Sequence, residues 1–216
     1  MKKVALILSG CGYLDGSEIT ESVGAMIALG QLEVEYQCFA PRLKFESVDH
    51  IGGNLSDQRD TFTESARICR GELKDLSELK CKEFDALLFP GGFGAAKHLC
   101  SWATEGSQCH VNDETERLVQ EFYKASKPIG ALCIAPALVA KVLGNNGVTV
   151  TIGNDPETAQ EVEKTGAHHE DCTVDDFISD RENKIVTSPA YMYDKARPHE
   201  VFKGIFGLVK ELTEMA

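Results

Sequence analysis

Cys133 lies where an apolar strand is predicted to pass directly into a helix, a common position for the nucleophile of an α/β enzyme. The segment 127–138 contains no polar loop between these two elements. A nucleophile on such a sharp turn needs small residues two positions before and after it, and Ala131 and Ala135 occupy those positions. Pro136 suits the first turn of the following helix. The pattern predicts a strand-to-helix elbow that presents a thiol.

The start of the helix would favour a reactive thiol. Its partial positive charge and unpaired N–H groups should lower the pKa of Cys133 and stabilise a thiolate. The N–H of Ile134 would then face an oxyanion formed on an attacked carbonyl. The alternative is that Cys133 is simply a small buried residue, as free cysteines usually are. Taken alone, the elbow supports the two interpretations about equally.

A glycine-rich loop at 90–96 offers a second oxyanion donor. It follows a predicted strand and enters a helix, and its glycines allow a backbone amide to approach a bound oxygen closely. Gly92 is the candidate donor. The alternative is a plain glycine-rich turn; the spacing is not that of a dinucleotide-binding loop.

The first loop, 9–23, places Glu18 and Glu21 one turn apart at the start of a predicted helix. Such acidic residues often only complement the helix dipole. A carboxyl beside a thiol could instead move a proton if burial raised its pKa, and the two groups would then titrate as a coupled pair. Four further residues are candidate substrate contacts: Cys11, Gly12, Asn154 and His169.

The elements that would position these loops alternate between strand and helix. Six short apolar runs are predicted as buried strands: Val4 to Leu8, Val34 to Phe39, Ala86 to Phe89, Ile129 to Leu132, Val148 to Ile152 and Ile185 to Thr187. Capping patterns predict helix starts at Thr61, Asp113, Thr158 and Asp155-Pro156, and an apolar face predicts a C-terminal helix. Parallel βαβ units in a single domain spanning 1–216 are expected, with the chemistry at the carboxyl ends of the strands.

Composition narrows the function classes. The 216 residues are 43% hydrophobic and 26% charged, as in an ordinary globular protein. A formal charge of -12 without a basic cluster argues against nucleic acid, and no stretch is long enough to span a membrane. Eight cysteines without a Cys-x-x-Cys pair predict reduced thiols in the cytoplasm rather than disulfides or zinc. We expect neither a metal nor a cofactor.

Six ordered motifs together resemble the ElbB-like, or enhancing lycopene biosynthesis, branch of the ThiJ/PfpI superfamily, within the class I glutamine amidotransferase-like fold. They are Ser-Gly-Cys-Gly at 9–12, Asp-Gly-Ser-Glu-Ile at 15–19, Pro-Gly-Gly-Phe-Gly-Ala-Ala-Lys at 90–97, Cys-Ile-Ala-Pro-Ala at 133–137, Thr-Ile-Gly at 151–153 and Asn-Lys-Ile-Val-Thr-Ser-Pro-Ala-Tyr-Met at 183–192. The resemblance spans nearly the whole chain.

The resemblance implies a flavodoxin-like three-layer sandwich with a mostly parallel sheet, usually assembled as a homodimer. It implies that Cys133 is the reactive cysteine, that Glu21 rather than Glu18 faces it, and that the amides of Gly92 and Ile134 stabilise an oxyanion. The activity implied is that of glyoxalase III, the glutathione-independent conversion of glyoxal or methylglyoxal to a hydroxy acid, with a link to isoprenoid synthesis.

Two departures from the superfamily pattern matter. Active proteases carry histidine directly after the elbow cysteine, where this chain has Ile134, so peptidase activity is not expected. Related glyoxalases often have a histidine in the loop after the next strand, where residues 152–155 supply none.

Two alternative functions follow. His168-His169-Glu170 contains the His-x-Glu pattern of amidotransferases, but about 35 residues after Cys133, which is too early for that family. The second alternative is a noncatalytic redox sensor or chaperone-like dimer with an oxidisable Cys133.

Overall fold

The computed structural model describes residues 2–216 as a seven-stranded central sheet with helices on both faces, together with two small two-stranded sheets. The strands are β1 (Lys3–Ile7), β2 (Glu35–Ala40), β3 (Lys44–Val48), β4 (Leu55–Asp60), β5 (Leu73–Asp75), β6 (Ala86–Phe89), β7 (Ile129–Leu132), β8 (Thr149–Val150), β9 (His168–His169), β10 (Ile178–Asp180) and β11 (Ile185–Ser188). The α-helices are α1 (Ile19–Gln31), α2 (Thr61–Ile68), α3 (Trp102–Glu105), α4 (Asp113–Lys124), α5 (Ala135–Leu143), α6 (Pro156–Glu163) and α7 (Pro198–Met215).

The strand order of the central sheet explains where loops can meet. The order is β10-β11-β7-β6-β1-β2-β5, and every neighbouring pair is parallel except β10 with β11. The chain first builds outward from β1 through β2 to β5 and then builds on the other side from β6 to β11. The strand order therefore reverses between β1 and β6, and the loops that leave these two strands meet there.

Two hydrophobic cores lie on opposite faces of the sheet. Along β1, Ala5 and Ile7 enter the core that α4 and α5 cover, whereas Val4 and Leu6 enter the core that α1 and α7 cover. Both faces are buried, so the central strands are continuous apolar runs rather than alternating ones. The predicted α/β three-layer sandwich is confirmed.

Several local predictions need correction. The apolar run 148–152 does not join the central sheet; only β8 forms there, paired with β9. The antiparallel hairpin of β3 and β4 was not predicted, because β4 is almost wholly exposed and carries no apolar pattern. The strand β5 was not predicted either, because it is only three residues long.

Helix starts also shift toward the N-terminus. The caps are Asp60 for α2 and Asn112 for α4, each one residue before the predicted position. At α6 the predicted Asp155-Pro156 cap is correct and Thr158 lies inside the helix, where its N–H donates to Asp155. Short polar residues next to each other compete for the cap, and the pattern alone does not choose between them.

Helix α7 packs its apolar face against the sheet next to the elbow. Leu208 is fully buried, and a Cβ built on Gly130 of β7 would lie only 3.2 Å from its Cδ2 atom. Replacing Leu208 would leave a cavity behind the strand that leads into Cys133.

We therefore expect Leu208→Ala to lower the free energy of unfolding by about 2–5 kcal/mol. The exposed neighbour Lys210 is the matched control, and Lys210→Ala should change it by about 0.5 kcal/mol or less. Urea unfolding of the two variants measures the difference; equal losses would contradict the packing described.

Candidate active site

The elbow after β7 holds Cys133 in the left-handed backbone region. Its φ angle is 59°, and its N–H donates to the carbonyl of Ser188 at 2.9 Å. A non-glycine residue there costs on the order of 1–3 kcal/mol, so the surrounding structure must hold it in place. Gly91 is part of that hold, because a Cβ at this position would lie 2.3 Å from the Cβ of Cys133.

Glu21 lies in the first turn of α1 and is completely buried. Its Oε2 atom accepts the N–H of Gly91 at 2.8 Å, and its Oε1 atom accepts the N–H of Tyr191 at 3.2 Å. These amides come from the loops after β6 and β11. Both carboxyl oxygens are thus held by backbone N–H groups, and the same carboxyl interacts with the Cys133 thiol.

The titration of the two groups differs from the sequence expectation. Burial and then the charge of Glu18 raise the pKa of Glu21 to about 8, against the N–H donors of Tyr191 and Gly91. Burial and then the Glu21 carboxylate raise the pKa of Cys133 as well, against the N–H groups of Gly92 and Ile134. The expected lowering of the thiol pKa is therefore wrong, because desolvation outweighs the helix terminus.

The two groups lose their protons as a pair. The repulsion that raises the pKa of Cys133 exists only while Glu21 is charged, and it disappears when Glu21 keeps its proton. The pKa of Glu21, about 8, is the lower of the two, because burial raises the pKa of Cys133 well above its ordinary value. The first negative charge of the pair therefore lies on Glu21, whose carboxylate can accept the thiol proton when the sulfur attacks.

Glu18 is the N-cap of α1 and binds both Glu21 and the loop after β6. Its carboxylate accepts the N–H of Glu21 at 2.6 Å, and its own N–H donates to the carbonyl of Gly91 at 3.0 Å. Burial raises its pKa, although neighbouring N–H donors oppose the rise. Unlike Glu21, Glu18 is only partly buried and lines the cavity that opens in front of Cys133.

That cavity has a volume of about 420 Å³. Cys133, Gly92, Ile134 and Glu18 line its reactive part, and no histidine is among the described residues that line it. Most of the remaining wall is aromatic or apolar, formed by Tyr13, Phe93, Ala96, Trp102, Ala103, Tyr191 and Met192, with Thr158. Cys133 itself is only 7% exposed, so reagents reach the sulfur through this cavity.

Cys11 and Gly12, two of the candidate substrate contacts, do not line the cavity. Cys11 is half-buried, and burial followed by the charge of Glu64 raises its pKa. Gly12 packs under the hairpin of β3 and β4, where a Cβ would lie 2.5 Å from Nε2 of His50.

Asn154 and His169 do not line the cavity either. Asn154 is exposed. The His169 ring is buried beside β8, where Nε2 accepts the N–H of Ile152 at 3.2 Å and burial lowers its pKa. The structure thus brings together four of the eight predicted site residues: Cys133, Glu21, Gly92 and Ile134.

Sequence reasoning missed the amides of Gly91 and Tyr191 and the aromatic wall. The Pro-Ala-Tyr-Met segment at 189–192 directly follows the end of β11, and this position at the carboxyl edge was a usable signal for Tyr191 and Met192. The sequence held no comparable signal for Trp102, because the helix of this residue follows a π-helical turn at 95–99 that no hydrophobic periodicity predicts.

The site consists of a cysteine on a left-handed elbow that faces a buried carboxyl. It lies where the strand order of a doubly wound sheet reverses, and this combination is typical of one class of cysteine-dependent α/β proteins. Residues 70–194 match the DJ-1/PfpI family. Together with the relatives described next, this match shows that the chain belongs to the DJ-1/PfpI family, which includes glyoxalase-like and redox-sensing members. The predicted ThiJ/PfpI membership is confirmed at this level.

Individual relatives extend the likeness over the whole chain. The human mitochondrial glutamine amidotransferase-like class 1 domain-containing protein 3 is 43% identical over 99% of this chain and 83% of its own length. The mitochondrial ES1 protein of Danio rerio is 33% identical over 98% of this chain and 85% of its own length. The crystal structure of an isoprenoid biosynthesis protein with an amidotransferase-like domain from Ehrlichia chaffeensis is 36% identical, with a TM-score of 0.91 over 99% of this chain and 100% of its own.

The raised pKa of Glu21 gives a stability prediction with a definite sign. Its folded pKa of about 8 exceeds the ordinary value of 4.5, so the folded state binds more protons between these values and loses stability as pH rises through them. Glu21→Gln removes this contribution and keeps the shape.

We expect the free energy of unfolding of the natural protein to fall relative to that of Glu21→Gln between about pH 5 and about pH 8, by at most roughly 1.4 kcal/mol per pH unit. Urea unfolding across this range measures both. Parallel curves would show that Glu21 ionises normally in the folded protein.

Proposed function

We propose that the protein is a glutathione-independent glyoxalase that converts a 2-oxoaldehyde into a 2-hydroxy acid, using Cys133 as nucleophile. One observation carries the proposal: a buried carboxyl with a pKa raised to about 8 faces a thiol on which two backbone N–H groups converge. A group with a pKa near neutral is well suited to taking up and returning a proton.

The chemistry balances without a further reagent. Glu21 takes the proton of Cys133 as the sulfur adds to the aldehyde carbon, and it returns this proton to the resulting oxyanion, which the N–H groups of Gly92 and Ile134 stabilise, to give a hemithioacetal. Glu21 removes the proton from that carbon, giving an enediol, and a proton returns to the neighbouring carbon. The product is a thioester of the hydroxy acid, which water cleaves to free the thiol.

The name of the human relative suggests glutamine hydrolysis as another candidate reaction, and the lining of the cavity does not favour it. Release of ammonia from an amide requires a group that protonates the leaving nitrogen, usually a histidine in such sites. No histidine lines the cavity in the part of the chain the structure describes, and His169 is occupied by the backbone of Ile152. We therefore favour the aldehyde reaction.

We expect Cys133→Ala to abolish turnover of methylglyoxal and Glu21→Gln to lower kcat about a hundredfold or more. In the natural protein kcat/KM should rise with pH through about 8, as the pair loses its first proton. Steady-state assays of hydroxy acid formation measure these effects. Cys81→Ala, which removes a thiol far from the cavity, is the matched control and should keep full activity.

A noncatalytic redox sensor is the competing function, because the same N–H groups and Glu21 could stabilise an oxidised Cys133. A peroxide-dependent gain of mass at Cys133, without turnover of any oxoaldehyde or of glutamine, would support the sensor and refute the enzyme.

We also propose a homodimer formed through α1. Ile19, Val23 and Ile27 are four residues apart and 48%, 36% and 47% exposed, so they form one apolar stripe on the helix that carries Glu21. Two copies of such a stripe can pack against each other about a two-fold axis.

Ile27→Lys should therefore convert the dimer to a monomer in sedimentation velocity, whereas Ile51→Lys should not, although Ile51 is 99% exposed on the distant hairpin. A natural protein that is monomeric at micromolar concentration would overturn this assembly.

The compartment and pathway are further proposals. We propose a cytoplasmic location, although the human and Danio rerio relatives are named as mitochondrial. The eight free thiols fit a reducing compartment. None of the helices described between residues 2 and 216 is long and apolar enough to cross a membrane. Cell fractionation distinguishes the two compartments.

We propose a link to isoprenoid biosynthesis, which the ElbB-like motifs and the name of the Ehrlichia chaffeensis protein support. The isoprenoid content of cells with and without the gene tests this link; equal content would refute it.

A further inference from the structure

The walls of the cavity are not those that a small polar aldehyde requires. Glyoxal, the smallest dialdehyde, would occupy only the reactive part beside Cys133, Gly92 and Ile134. The cavity of about 420 Å³ falls in the size range of sites that enclose drug-sized ligands. Most of the cavity would therefore accommodate a part of the substrate that glyoxal does not have.

The rest of the wall consists mainly of aromatic and apolar side chains. Trp102 is 7% exposed and forms an inner wall, whereas Tyr13 and Phe93 are 49% and 44% exposed at the rim. Met192 adds a flexible apolar side chain. Aromatic side chains gain the most when they pack against another planar apolar group and exclude water.

We propose that the substrate is a 2-oxoaldehyde with an aromatic group on its ketone carbon, bound with the aldehyde at the Cys133 sulfur and the ring between Trp102 and Phe93. This inference rests on the proposed function. The reaction is an internal redox exchange: the aldehyde carbon is oxidised to a carboxylate, the ketone carbon is reduced to an alcohol, and one water is consumed, so no external oxidant is needed.

Turnover provides the first test. For the natural protein we expect kcat/KM for phenylglyoxal to exceed that for methylglyoxal by about tenfold or more, which is a typical selectivity of an apolar pocket. Phe93→Ala should lower this ratio several-fold. Comparing the ratio between proteins cancels the intrinsic reactivity of the two aldehydes. Tyr36→Ala removes a similarly exposed aromatic ring outside this cavity, 40% exposed on β2, and should leave the ratio unchanged.

Binding provides a second test that does not depend on turnover. Trp102 is the only tryptophan of the chain, so its fluorescence reports occupancy of the cavity. In the Cys133→Ala protein, mandelate and glycolate, the hydroxy acids formed from phenylglyoxal and glyoxal, differ only in the phenyl group. We expect mandelate to bind about tenfold or more tightly, and Phe93→Ala to reduce this difference.

The outcomes separate the two proposals. Turnover of methylglyoxal and phenylglyoxal with equal kcat/KM, together with equal binding of mandelate and glycolate, would overturn the aromatic substrate and leave the glyoxalase standing. Absence of turnover of every oxoaldehyde would overturn the proposed function, and with it the substrate, even if mandelate still bound more tightly than glycolate.

Discussion

The buried carboxyl of Glu21 is the interaction on which the site depends. A carboxyl group removed from water must either keep its proton or find several donors, and this one does both. Its donors are the backbone amides of Gly91 and Tyr191, which belong to loops after two different strands. Satisfying one side chain thus requires the start of α1 to meet the ends of β6 and β11, which the reversal of strand order next to β1 makes possible.

The close approach of these loops also explains why the loop at 90–96 has glycine at position 92. A Cβ on Gly92 would lie 2.4 Å from both the carbonyl oxygen of Gly16 and the backbone nitrogen of Glu18, and Gly92 has a φ of 86°. The loops after β1 and β6 therefore pack backbone against backbone, with no room for side chains. This contact holds the N–H of Gly92 toward the Cys133 sulfur, and it helps to hold the left-handed elbow, which by itself is unfavourable.

The sequence predicted those parts of the molecule that follow from local rules. The central strands β1, β6, β7 and β11 are buried on both faces and read as apolar runs, so their positions were nearly right. The elbow at Cys133 and the donor at Gly92 were found because small residues at fixed offsets have a steric cause. The hairpin of β3 and β4 was missed because it is stabilised by pairing and not by an apolar face. The raised pKa of Cys133 was missed because it depends on burial by distant segments, whereas the helix terminus that opposes it is visible locally.

The proposed oxoaldehyde reaction asks less of this carboxyl and this thiol than cleavage of an amide would. Cleavage of an amide needs a group that protonates a departing amine, and the histidine that usually does so is absent among the described residues lining the cavity. Isomerisation of a thiol-bound oxoaldehyde needs only a proton moved between adjacent carbons, and no group leaves. A carboxyl with a pKa of about 8, fixed by two amides beside the sulfur, can take up that proton and return it near neutral pH at little cost in either direction. Burial thus makes the thiol harder to ionise, but the same burial gives its neighbour the basicity that the proposed proton transfer requires.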